Sequence, residues 1–372
     1  MSTAKPTSSL TSLGDSWRAY ALADPKGPLG PWWWRLSATG LSILYGLAVS
    51  LRSGLYRSGL LRSRTLPGKT ISIGNLAAGG TGKSPITLRL AQLLQEAGAT
   101  PAILTRGYGS GLAPSDSLAL LAGQVLMAPT RACRPADEAM MQSMALPAVP
   151  VVVGRNRFAA AQRFLREHPQ RAPSHWLLDD GMQHWQLTRD FELVLLDARM
   201  PLPRLMPRGV GRERPSALKR ADLVILTRCS VDVPSPTQIS SVRAWTRASV
   251  VQTSMRTGMP ERSSDGLHRY DPTAHQAVCL VSAVARPDDL REAVVNELGL
   301  SINAEIRLPD HGLIDRQRLR DTAAASDAIL TTAKDYWRDP AVFAGLPQPV
   351  FILPLTVTSV DTALAPVIKR LR

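Results

Sequence analysis

The stretch from Thr70 to Gly98 constrains the fold of this 372-residue chain more than any other part of the sequence. It begins with a β-branched run, continues through the Gly-rich sequence N-L-A-A-G-G-T-G-K-S, and ends in a segment with apolar residues at helical spacing. Glycines in such a turn allow backbone N–H groups to face an anion, while Lys83 reaches the β- and γ-phosphates of a nucleotide and Ser84 holds Mg²⁺. The stretch therefore predicts a strand, a phosphate-binding loop and a helix.

The predicted loop supplies the set of residues that we expect to bind a nucleotide. They are Ala77, Ala78, Gly79, Gly80, Thr81, Gly82, Lys83 and Ser84. Ala77 departs from the usual G-x-x-x-x-G-K-[ST] pattern, which has glycine at that position. An ordinary Gly-rich turn between a strand and a helix is the alternative interpretation. The position of Lys83 and Ser84 where the helix should begin, with Pro85 in its first turn, favours the nucleotide interpretation.

The charge of the chain favours anionic partners. Its formal net charge is +14, and most of its basic residues are arginines. Nucleic acid, an anionic lipid surface and phosphorylated substrates all fit such a surface, whereas a GC-rich genome would explain the arginines without any partner. Cys133, Cys229 and Cys279 show no C-x-x-C spacing, which predicts a reducing, cytosolic compartment and excludes a cysteine-based metal site.

Residues 1–30 are weakly patterned, and we expect them to form a mobile tail rather than a signal peptide. The apolar segment that follows opens with three consecutive tryptophans from Trp32, which resemble an interfacial aromatic belt. No charged residue lies between Arg35 and Arg52, yet this interval is shorter than the roughly 20 residues that a spanning helix needs. We therefore predict a membrane-associated helix within residues 31–62, with a buried core helix as the alternative. A basic collar that would lie against anionic headgroups follows, formed by Arg52, Arg57, Arg62 and Arg64.

Beyond residue 63, short apolar runs alternate with helical segments, as is typical of a parallel sheet that is covered on both faces. The runs in residues 63–250 after the first strand are Pro101–Gly109, Val149–Arg157, His175–His184, Glu192–Ala198 and Ala221–Arg228. A polar connection from Ser230 to Thr273 separates them from a smaller set, Ala277–Val284, Ile306–His311, Ala328–Thr332 and Val350–Leu355. The sequence thus predicts the α/β class, with a P-loop NTPase-like parallel-sheet domain (63–250), a second, smaller α/β domain (251–372) and an N-terminal membrane-associated helix.

Carboxylates at the ends of predicted strands are the candidates for a metal site. Asp179 and Asp180 follow a buried run, and two adjacent acids are costly unless a cation compensates their charge. Asp197 also ends a strand, but it could simply cap the next helix. His184 and His311, each taken alone, favour a structural role.

Seven motifs follow one another between residues 73 and 311. They are I-G-N-L-A-A-G-G-T-G-K-S-P at 73–85, T-R-G-Y-G at 105–109, D-E at 137–138, V-V-V-G-R-N-R at 151–157, D-D-G-M-Q-H at 179–184, M-P-R-G-V-G-R-E at 206–213 and P-D-H at 309–311. In this combination and order the chain resembles the tetraacyldisaccharide 4'-kinase family, over residues 31–335. Four positions depart from the family pattern: Ser84 replaces the usual Thr, Met182 an aromatic or Leu, Ala136 a Gly and Ala333 a Glu.

The resemblance implies an ATP-dependent lipid kinase of lipid A biosynthesis. It would transfer the γ-phosphate of ATP, with Mg²⁺, to the 4'-hydroxyl of a tetraacyldisaccharide 1-phosphate and give lipid IVA. Its partners would be this lipid disaccharide 1-phosphate and the anionic inner-membrane surface, with no nucleic acid expected. The implied location is the cytoplasmic face of the bacterial inner membrane.

The resemblance also implies roles for individual residues. Asp137 would be the base, paired with His311 from the second domain. Lys83 would bind the phosphates of ATP. The metal would be held by Ser84, Asp179, Asp180 and Glu213. The implied contacts with substrate or phosphate are Arg106, Glu138, Arg155, Arg157, His184 and Arg212.

Two other functions remain open from the sequence. One is a P-loop kinase or NTPase with a soluble substrate, in which the apolar N-terminal helix would belong to the core. The other is a membrane-tethered nucleic-acid-binding protein that relies on Arg clusters and Trp stacking. The consecutive tryptophans beginning at Trp32 argue against it, because they lie in an apolar setting and are not interleaved with basic residues.

Overall fold

A computed structural model describes residues 32–229, 236–261, 263–264, 266–284, 286–309 and 312–371. The predicted tail, residues 1–30, and the predicted dyad histidine, His311, lie outside these described residues.

The largest sheet in the described residues has nine strands, and its centre is the strand that precedes the Gly-rich loop. Its strands are β1 (Lys69–Asn75), β2 (Pro101–Thr105), β3 (Ser117–Leu121), β4 (Gln124–Met127), β5 (Val151–Gly154), β6 (His175–Asp179), β7 (Phe191–Asp197), β8 (Leu223–Thr227) and β9 (Ser249–Gln252). Their spatial order is β4-β3-β5-β2-β6-β1-β7-β8-β9. The neighbours from β5 to β9 pair in parallel, whereas β3 pairs antiparallel with both β4 and β5. This arrangement confirms the predicted α/β class.

Helices cover the nine-stranded sheet and the smaller sheet that follows it, and they bury the apolar strands. In chain order they are α1 (Trp32–Arg57), α2 (Lys83–Glu96), α3 (Asp137–Ala145), α4 (Arg157–Glu167), α5 (Pro236–Arg243), α6 (Pro287–Glu292), α7 (Arg316–Ala323), α8 (Ala333–Arg338), α9 (Pro340–Phe343) and α10 (Val360–Leu371). On one face, Ile86 and Leu90 of α2 pack against Ile71 and Ile73 of β1. On the other face α4 contributes to a separate cluster with the buried ring of Trp176. Covering on both faces explains why these strands are almost continuously apolar.

A second, smaller sheet is inserted late in the chain. Its four strands, β11 (Ala277–Ser282), β12 (Ser301–Arg307), β13 (Ala328–Thr332) and β14 (Val350–Leu353), are all parallel in the order β12-β11-β13-β14. The chain enters and leaves this part through an antiparallel pair, β10 (Ser254–Thr257) and β15 (Leu355–Thr358). After β15, helix α10 returns to the large sheet, where Val360 and Leu364 join the core beside α2. The domain limits 31–62, 63–250 and 251–372 stay predictions.

Helix α1 packs through its small residues on the part of the chain that carries the nine-stranded sheet, called here the large-sheet part. Ala38, Ser42 and Gly46 are buried, and Ser42 Oγ donates to the carbonyl of Leu205 at 3.1 Å. No helix in the described part of the chain is long and apolar enough to cross a membrane.

Candidate active site

The Gly-rich loop leaves the carboxyl end of β1, where ligands bind in open α/β sheets. Asn75 Nδ2 donates across the loop to Thr81 Oγ1 at 3.0 Å. From the end of β8, Thr227 Oγ1 donates to the carbonyl of Thr81 at 3.0 Å. Gly79 and Gly82 adopt positive φ angles of 122° and 78°, a conformation that L side chains rarely adopt. These features give the curved loop that the sequence predicts.

A second segment, residues 210–212, pairs through its backbone with the Gly-rich loop. The Ala78 N–H donates to the carbonyl of Val210 at 2.7 Å, and the Arg212 N–H donates to the carbonyl of Leu76 at 2.7 Å. This pairing places Arg212 beside the loop although more than a hundred residues separate them in the sequence. The segment also contacts α1, since Tyr45 donates its hydroxyl to the carbonyl of Arg212 at 3.1 Å.

Helix α2 begins at Lys83, so its N-terminus and positive dipole end point toward the loop. Lys83 Nζ lies 3.5 Å from Asp180 Oδ1. The same carboxylate accepts from Arg212 Nη1 at 2.9 and 2.8 Å. The structure therefore brings together Lys83, Asp180 and Arg212, three residues that the sequence places in the site.

Asp179 and Asp180 lie in opposite electrostatic environments. Burial raises the pKa of Asp179 to about 7, and the negative charge of Glu138 adds to the effect while Lys83 opposes it. Burial alone would raise the pKa of Asp180 as well, but Lys83 and Arg212 outweigh it and hold that pKa below its usual value. Asp179 accepts a hydrogen bond from Gln142 Nε2 at 2.8 Å. Its negative charge is thus poorly compensated by the protein alone.

The turn after these two carboxylates depends on glycine. Asp180 has a positive φ of 49°. A Cβ at Gly181 would lie 2.5 Å from Ser72 Oγ and 2.8 Å from the carbonyl oxygen of Leu178. The D-D-G sequence therefore allows the turn to lie directly on β1 and presents both acids to the loop.

The residues around the loop fit Mg²⁺. The hydroxyl of Ser84 and the carboxylates of Asp179 and Asp180 are hard oxygen donors, and a cation would compensate the buried charge of Asp179. No group of three or more His, Cys, Asp or Glu residues that could hold a metal occurs among the described residues. This is the usual situation for Mg²⁺, which binds through one or two carboxylates together with phosphate oxygens and water. In the structure Ser84 Oγ donates to Glu138 Oε1.

Glu213 lies apart from this group. It is buried, and its two oxygens accept from Arg220 at 2.7 and 2.8 Å and from Gln183 Nε2 at 3.0 Å. Gln183 lines the cleft, whereas Glu213 does not. Its role as a metal ligand stays a prediction.

Asp137 is the first residue of α3 and is buried where the two sheets approach each other. Its Oδ1 accepts from the N–H of Glu138 at 2.8 Å, and its Oδ2 accepts from Nε and Nη2 of Arg338 at 3.1 Å each. Arg338 ends α8, in the part of the chain that carries the smaller sheet. The same guanidinium donates through Nη1 to the carbonyl of Gly312 at 3.0 Å. Gly312 follows His311 in the sequence.

Arg157 and His184 form a buried pair behind the carboxylates. Arg157 donates through Nη1 to His184 Nδ1 at 3.1 Å and through Nη2 to the carbonyl of Asp179 at 3.0 Å. Burial lowers the pKa of Arg157 to about 10 and that of His184 to about 3, the latter with help from the charges of Arg157 and Arg189. A neutral His184 that accepts at Nδ1 holds Arg157, and Arg157 in turn holds the backbone of the D-D turn.

Most of the predicted site residues line one cleft of about 2060 Å³ between the two sheets. The predicted residues on its wall are the whole loop from Ala77 to Ser84, with Arg106, Asp137, Glu138, Arg155, Arg157, Asp179, Asp180, His184 and Arg212. Arg106 and Arg155 are exposed there. The smaller-sheet part contributes Arg286, Asp289 and Lys334 to the same wall.

Several residues of the site carry no sequence signal of their own. Gln142 and Arg338 contact the predicted carboxylates, but they belong to no recognisable motif. Asp197 does more than cap a helix, since its carboxylate accepts hydrogen bonds from a cluster of three arginines: Arg199 at 3.3 Å, Arg228 at 3.3 Å and Arg286 at 3.0 Å. Their sequence separations of up to 89 positions explain why spacing alone could not find the cluster.

Comparison with known proteins identifies close relatives. A protein of Pelobacter propionicus named tetraacyldisaccharide 4'-kinase is 36% identical over 305 residues, which cover 79% of this chain and 80% of that protein. A protein of Geobacter sulfurreducens with the same name is 33% identical over 360 residues, covering 93% of this chain and 96% of that protein. The crystal structure of LpxK from Aquifex aeolicus in complex with ATP superposes with a TM-score of 0.70 at 25% identity, and covers 91% of this chain and 99% of that one.

The family model described as LpxK, tetraacyldisaccharide-1-P 4'-kinase, matches residues 34–371, which is nearly all of the chain that the structure describes. This match and the two relatives agree with the order of motifs along the chain and with the cleft that those motifs line. The chain belongs to the tetraacyldisaccharide-1-P 4'-kinase family.

Proposed function

We propose that this chain is an ATP-dependent lipid kinase that phosphorylates the 4'-hydroxyl of a tetraacyldisaccharide 1-phosphate and produces lipid IVA. The observation that carries the proposal is the shared cleft: the phosphate-binding loop, the paired acids and Asp137 all line it. In the reaction the 4'-oxygen forms a bond to the γ-phosphorus while the bond to the β,γ-bridging oxygen breaks. ADP leaves, and the hydroxyl proton passes to a base of the protein.

The loop and its neighbours would bind the phosphates of ATP. Backbone N–H groups and the N-terminus of α2 supply partial positive charge, and Lys83 supplies a full one. Arg212 and Lys83 both contact the carboxylate of Asp180, so both cations would be close to the transferring phosphoryl group. Arg106 and Arg155 are exposed on the cleft wall, and we assign them to the phosphates of either ATP or the lipid.

Mg²⁺ would be held by Ser84, Asp179 and Asp180. When bound, it neutralises charge on the phosphate oxygens. The raised pKa of Asp179 supports this assignment, because a buried carboxylate without enough positive charge is a natural ligand for a cation.

Asp137 would act as the base, with His311 as its partner. The carboxylate of Asp137 pairs with the guanidinium of Arg338 and lines the cleft. Gly312, adjacent to His311 in the sequence, is held by the same guanidinium. These contacts support a dyad built from both parts of the chain, and they are the reason for preferring Asp137 over Asp179 as the base.

The outer face of α1 supports membrane association. Six large apolar residues on this face are each more than half exposed, which is unusual for a helix that faces water alone. They are Leu36, Leu41, Ile43, Leu44, Leu47 and Leu51. The opposite face contacts the backbone of Leu205 and Arg212. We propose that α1 lies on the cytoplasmic surface of the inner membrane and brings the cleft to its lipid substrate.

A direct assay tests the reaction. Purified protein is incubated with ATP, Mg²⁺ and the tetraacyldisaccharide 1-phosphate, and the lipid product is analysed by mass. We expect a bis-phosphorylated product that is absent without ATP and absent with the Lys83→Ala variant. ATP hydrolysis without any phosphorylated lipid, or equal transfer to a deacylated, water-soluble disaccharide phosphate, would contradict the lipid-kinase proposal.

A further inference from the structure

The guanidinium of Arg338 connects the two parts of the chain at the proposed base. Arg338 is only 9% exposed, and its nitrogens reach three acceptors on different elements. Nε and Nη2 donate to Asp137 Oδ2 on α3, and Nη1 donates to the carbonyl of Gly312. Nη1 also lies 3.0 Å from Asp335 Oδ1 on its own helix. Arg338 therefore contacts both the carboxylate of Asp137 and the segment that continues from His311.

A rigid support holds Arg338 from behind. Asp335 is completely buried, and its Oδ2 accepts from Thr332 Oγ1 at 2.8 Å and from the N–H of Ala283 at 3.1 Å. Thr332 ends β13 and Ala283 directly follows β11, two central strands of the smaller sheet. The position of the guanidinium is thus fixed by the smaller sheet, whereas the carboxylate that it holds belongs to the large-sheet part.

The geometry restricts Asp137 to one orientation. The N–H of Glu138 binds Oδ1, while two nitrogens of one planar guanidinium bind Oδ2. Both oxygens are therefore held, and the two donors on Oδ2 come from one rigid guanidinium fork, whereas a lysine ammonium is a point charge without this fixed geometry. Buried ion pairs contribute little to stability on average, so a gain in stability alone is a weak reason for such a pair.

We infer that Arg338 is a positioning residue for phosphoryl transfer: it orients the carboxylate of Asp137 toward the acceptor hydroxyl and ties it to the backbone of Gly312. The inference rests on the proposed function, in which Asp137 is the base. Arg338 touches neither nucleotide nor lipid in this scheme, and it acts through Asp137. Correct docking of the smaller sheet is then a condition for catalysis, because that sheet carries the guanidinium.

Three variants test the inference. Arg338→Ala removes the fork, Arg338→Lys keeps the charge but loses the planar geometry, and Arg316→Ala is the matched control. Arg316 lies in the same part of the chain and donates only to the carbonyls of Ala341 and Ala344, among the described residues. We expect kcat to fall roughly 10²-fold in Arg338→Ala, the order of loss that follows misplacement of a reacting group by about 1 Å. The lysine variant should lie between Arg338→Ala and wild type, while the control stays near wild type.

Three readouts separate positioning from loss of structure. The KM for ATP should change less than about threefold, because the loop is untouched, whereas kcat falls. Added methylguanidinium should restore part of the kcat of Arg338→Ala and none of that of Lys83→Ala. Melting temperatures report the folded fraction, and Arg338→Lys, which keeps the buried charge paired, provides a folded variant even where the alanine variant is unstable. A kcat loss that only follows the folded fraction, or absence of rescue in a folded variant, would overturn the inference.

A double variant distinguishes failure of the inference from failure of the proposed base. In the Asp137→Asn background, Arg338→Ala should lower kcat little further, because its effect passes through the carboxylate. Full activity of Arg338→Ala beside an inactive Asp137→Asn would reject the positioning role and leave the base in place. Full activity of Asp137→Asn would instead reject the base. Losses that multiply in the double variant would show that Arg338 acts independently of Asp137 and would overturn the inference.

Discussion

At the scale of single residues, the adjacent acids Asp179 and Asp180 lie in different electrostatic environments. Asp180 is neutralised by Lys83 and Arg212, whereas burial raises the pKa of Asp179 to about 7. An ionised carboxylate with a raised pKa attracts a cation, and a carboxylate between two protein cations orders those cations around a phosphate. The two adjacent acids therefore differ in their electrostatic environment, and we assign them different roles.

We expect Lys83→Ala and Asp179→Asn each to lower kcat by on the order of 10² or more while the fold stays intact, because each removes electrostatic stabilisation of the transferring group. The asparagine keeps the shape of Asp179 and removes a buried charge, so the melting temperature should not fall. Arg212 remains on Asp180 after the loss of Lys83. Steady-state kinetics with thermal melts check both points, and unchanged turnover in either variant would contradict the loop and metal assignments.

His184 makes the stability of the protein depend on pH. Its folded pKa is about 3, below the ordinary value of 6.5, so the unfolded chain binds a proton at this residue before the folded chain does. Stability should therefore be lost as pH falls from about 6.5 toward 3, by about 2 kcal/mol between pH 6.5 and 5. In His184→Asn the amide oxygen can replace Nδ1 as the acceptor for Arg157, and it does not titrate.

Urea denaturation of wild type and His184→Asn at pH 5, 6.5 and 8 measures this effect. The difference in free energy of unfolding between the two proteins should change by about 2 kcal/mol from pH 6.5 to 5 and hardly at all from 6.5 to 8. Parallel pH profiles would show that His184 is not buried in its neutral form.

Residue-level prediction is possible where a motif concentrates chemistry in a few positions. The Gly-rich loop and the D-D pair were predicted in this way, because phosphate binding needs defined residue types at short spacing, whereas Asp137 was predicted only from the resemblance to the kinase family. Arg338 could not be found, since its contact with Asp137 spans 201 positions and only the docking of α3 on α8 creates it.

At the scale of elements, most of the buried apolar strands were predicted from the sequence, whereas β3, β4, β9, β10 and β15 were not. The runs for β2, β6, β7, β8, β11 and β13 are buried along nearly their whole length, so composition alone reveals them. Strands β4, β9, β10 and β15 have four residues each and are exposed or half-buried along most of their length, so no long apolar run reveals them. For β12 the prediction of Ile306–His311 was displaced, because the edge strand Ser301–Arg307 is apolar only at alternate positions.

Contact between β1 and the turn after the D-D pair depends on Gly74. A Cβ at this position would lie 2.5 Å from Met182 Cβ and 2.7 Å from Met182 N. Backbone atoms cannot move away cheaply, so we expect Gly74→Ala to destabilise the protein by about 1–3 kcal/mol and to lower its melting temperature. Gly40→Ala on α1 is the control, because nothing lies within 4 Å of its added methyl group. An equal effect of the two substitutions would contradict this account of β1.

Helix α1 offers a test of membrane association. Deletion of residues 1–52 removes the exposed apolar face of α1 and most of its contacts with the segment around Leu205. We expect the truncated protein to move from the membrane fraction to the soluble fraction and to use lipid dispersed in bilayers less well, while it still binds ATP. Centrifugation, a vesicle-based kinase assay and nucleotide titration check the three expectations. Equal pelleting and equal activity of the truncated protein would reject the membrane role of α1.

At the scale of the whole molecule, the site exists only where two sheets face each other. The chain passes from β9 through β10 into the smaller sheet and returns through β15 to α10, so both connections run side by side. The loop and the acids belong to the large-sheet part, whereas Arg338 and Gly312 belong to the other. The alternation of strands and helices could predict two α/β units, but it contains no information on how they dock.

The proposed dyad tests that docking, because Asp137 belongs to the large-sheet part and His311 lies in the sequence of the second predicted domain. If they form one base, either Asp137→Asn or His311→Ala should cost on the order of 10²–10⁴ in kcat with little change in ATP affinity. The double variant should cost little more than the worse single variant, because residues that act as a unit are non-additive. Independent structural roles would instead multiply the losses and lower the melting temperature. Kinetics and melts of the three variants decide between these cases, and multiplied losses at intact nucleotide binding would remove His311 from the mechanism.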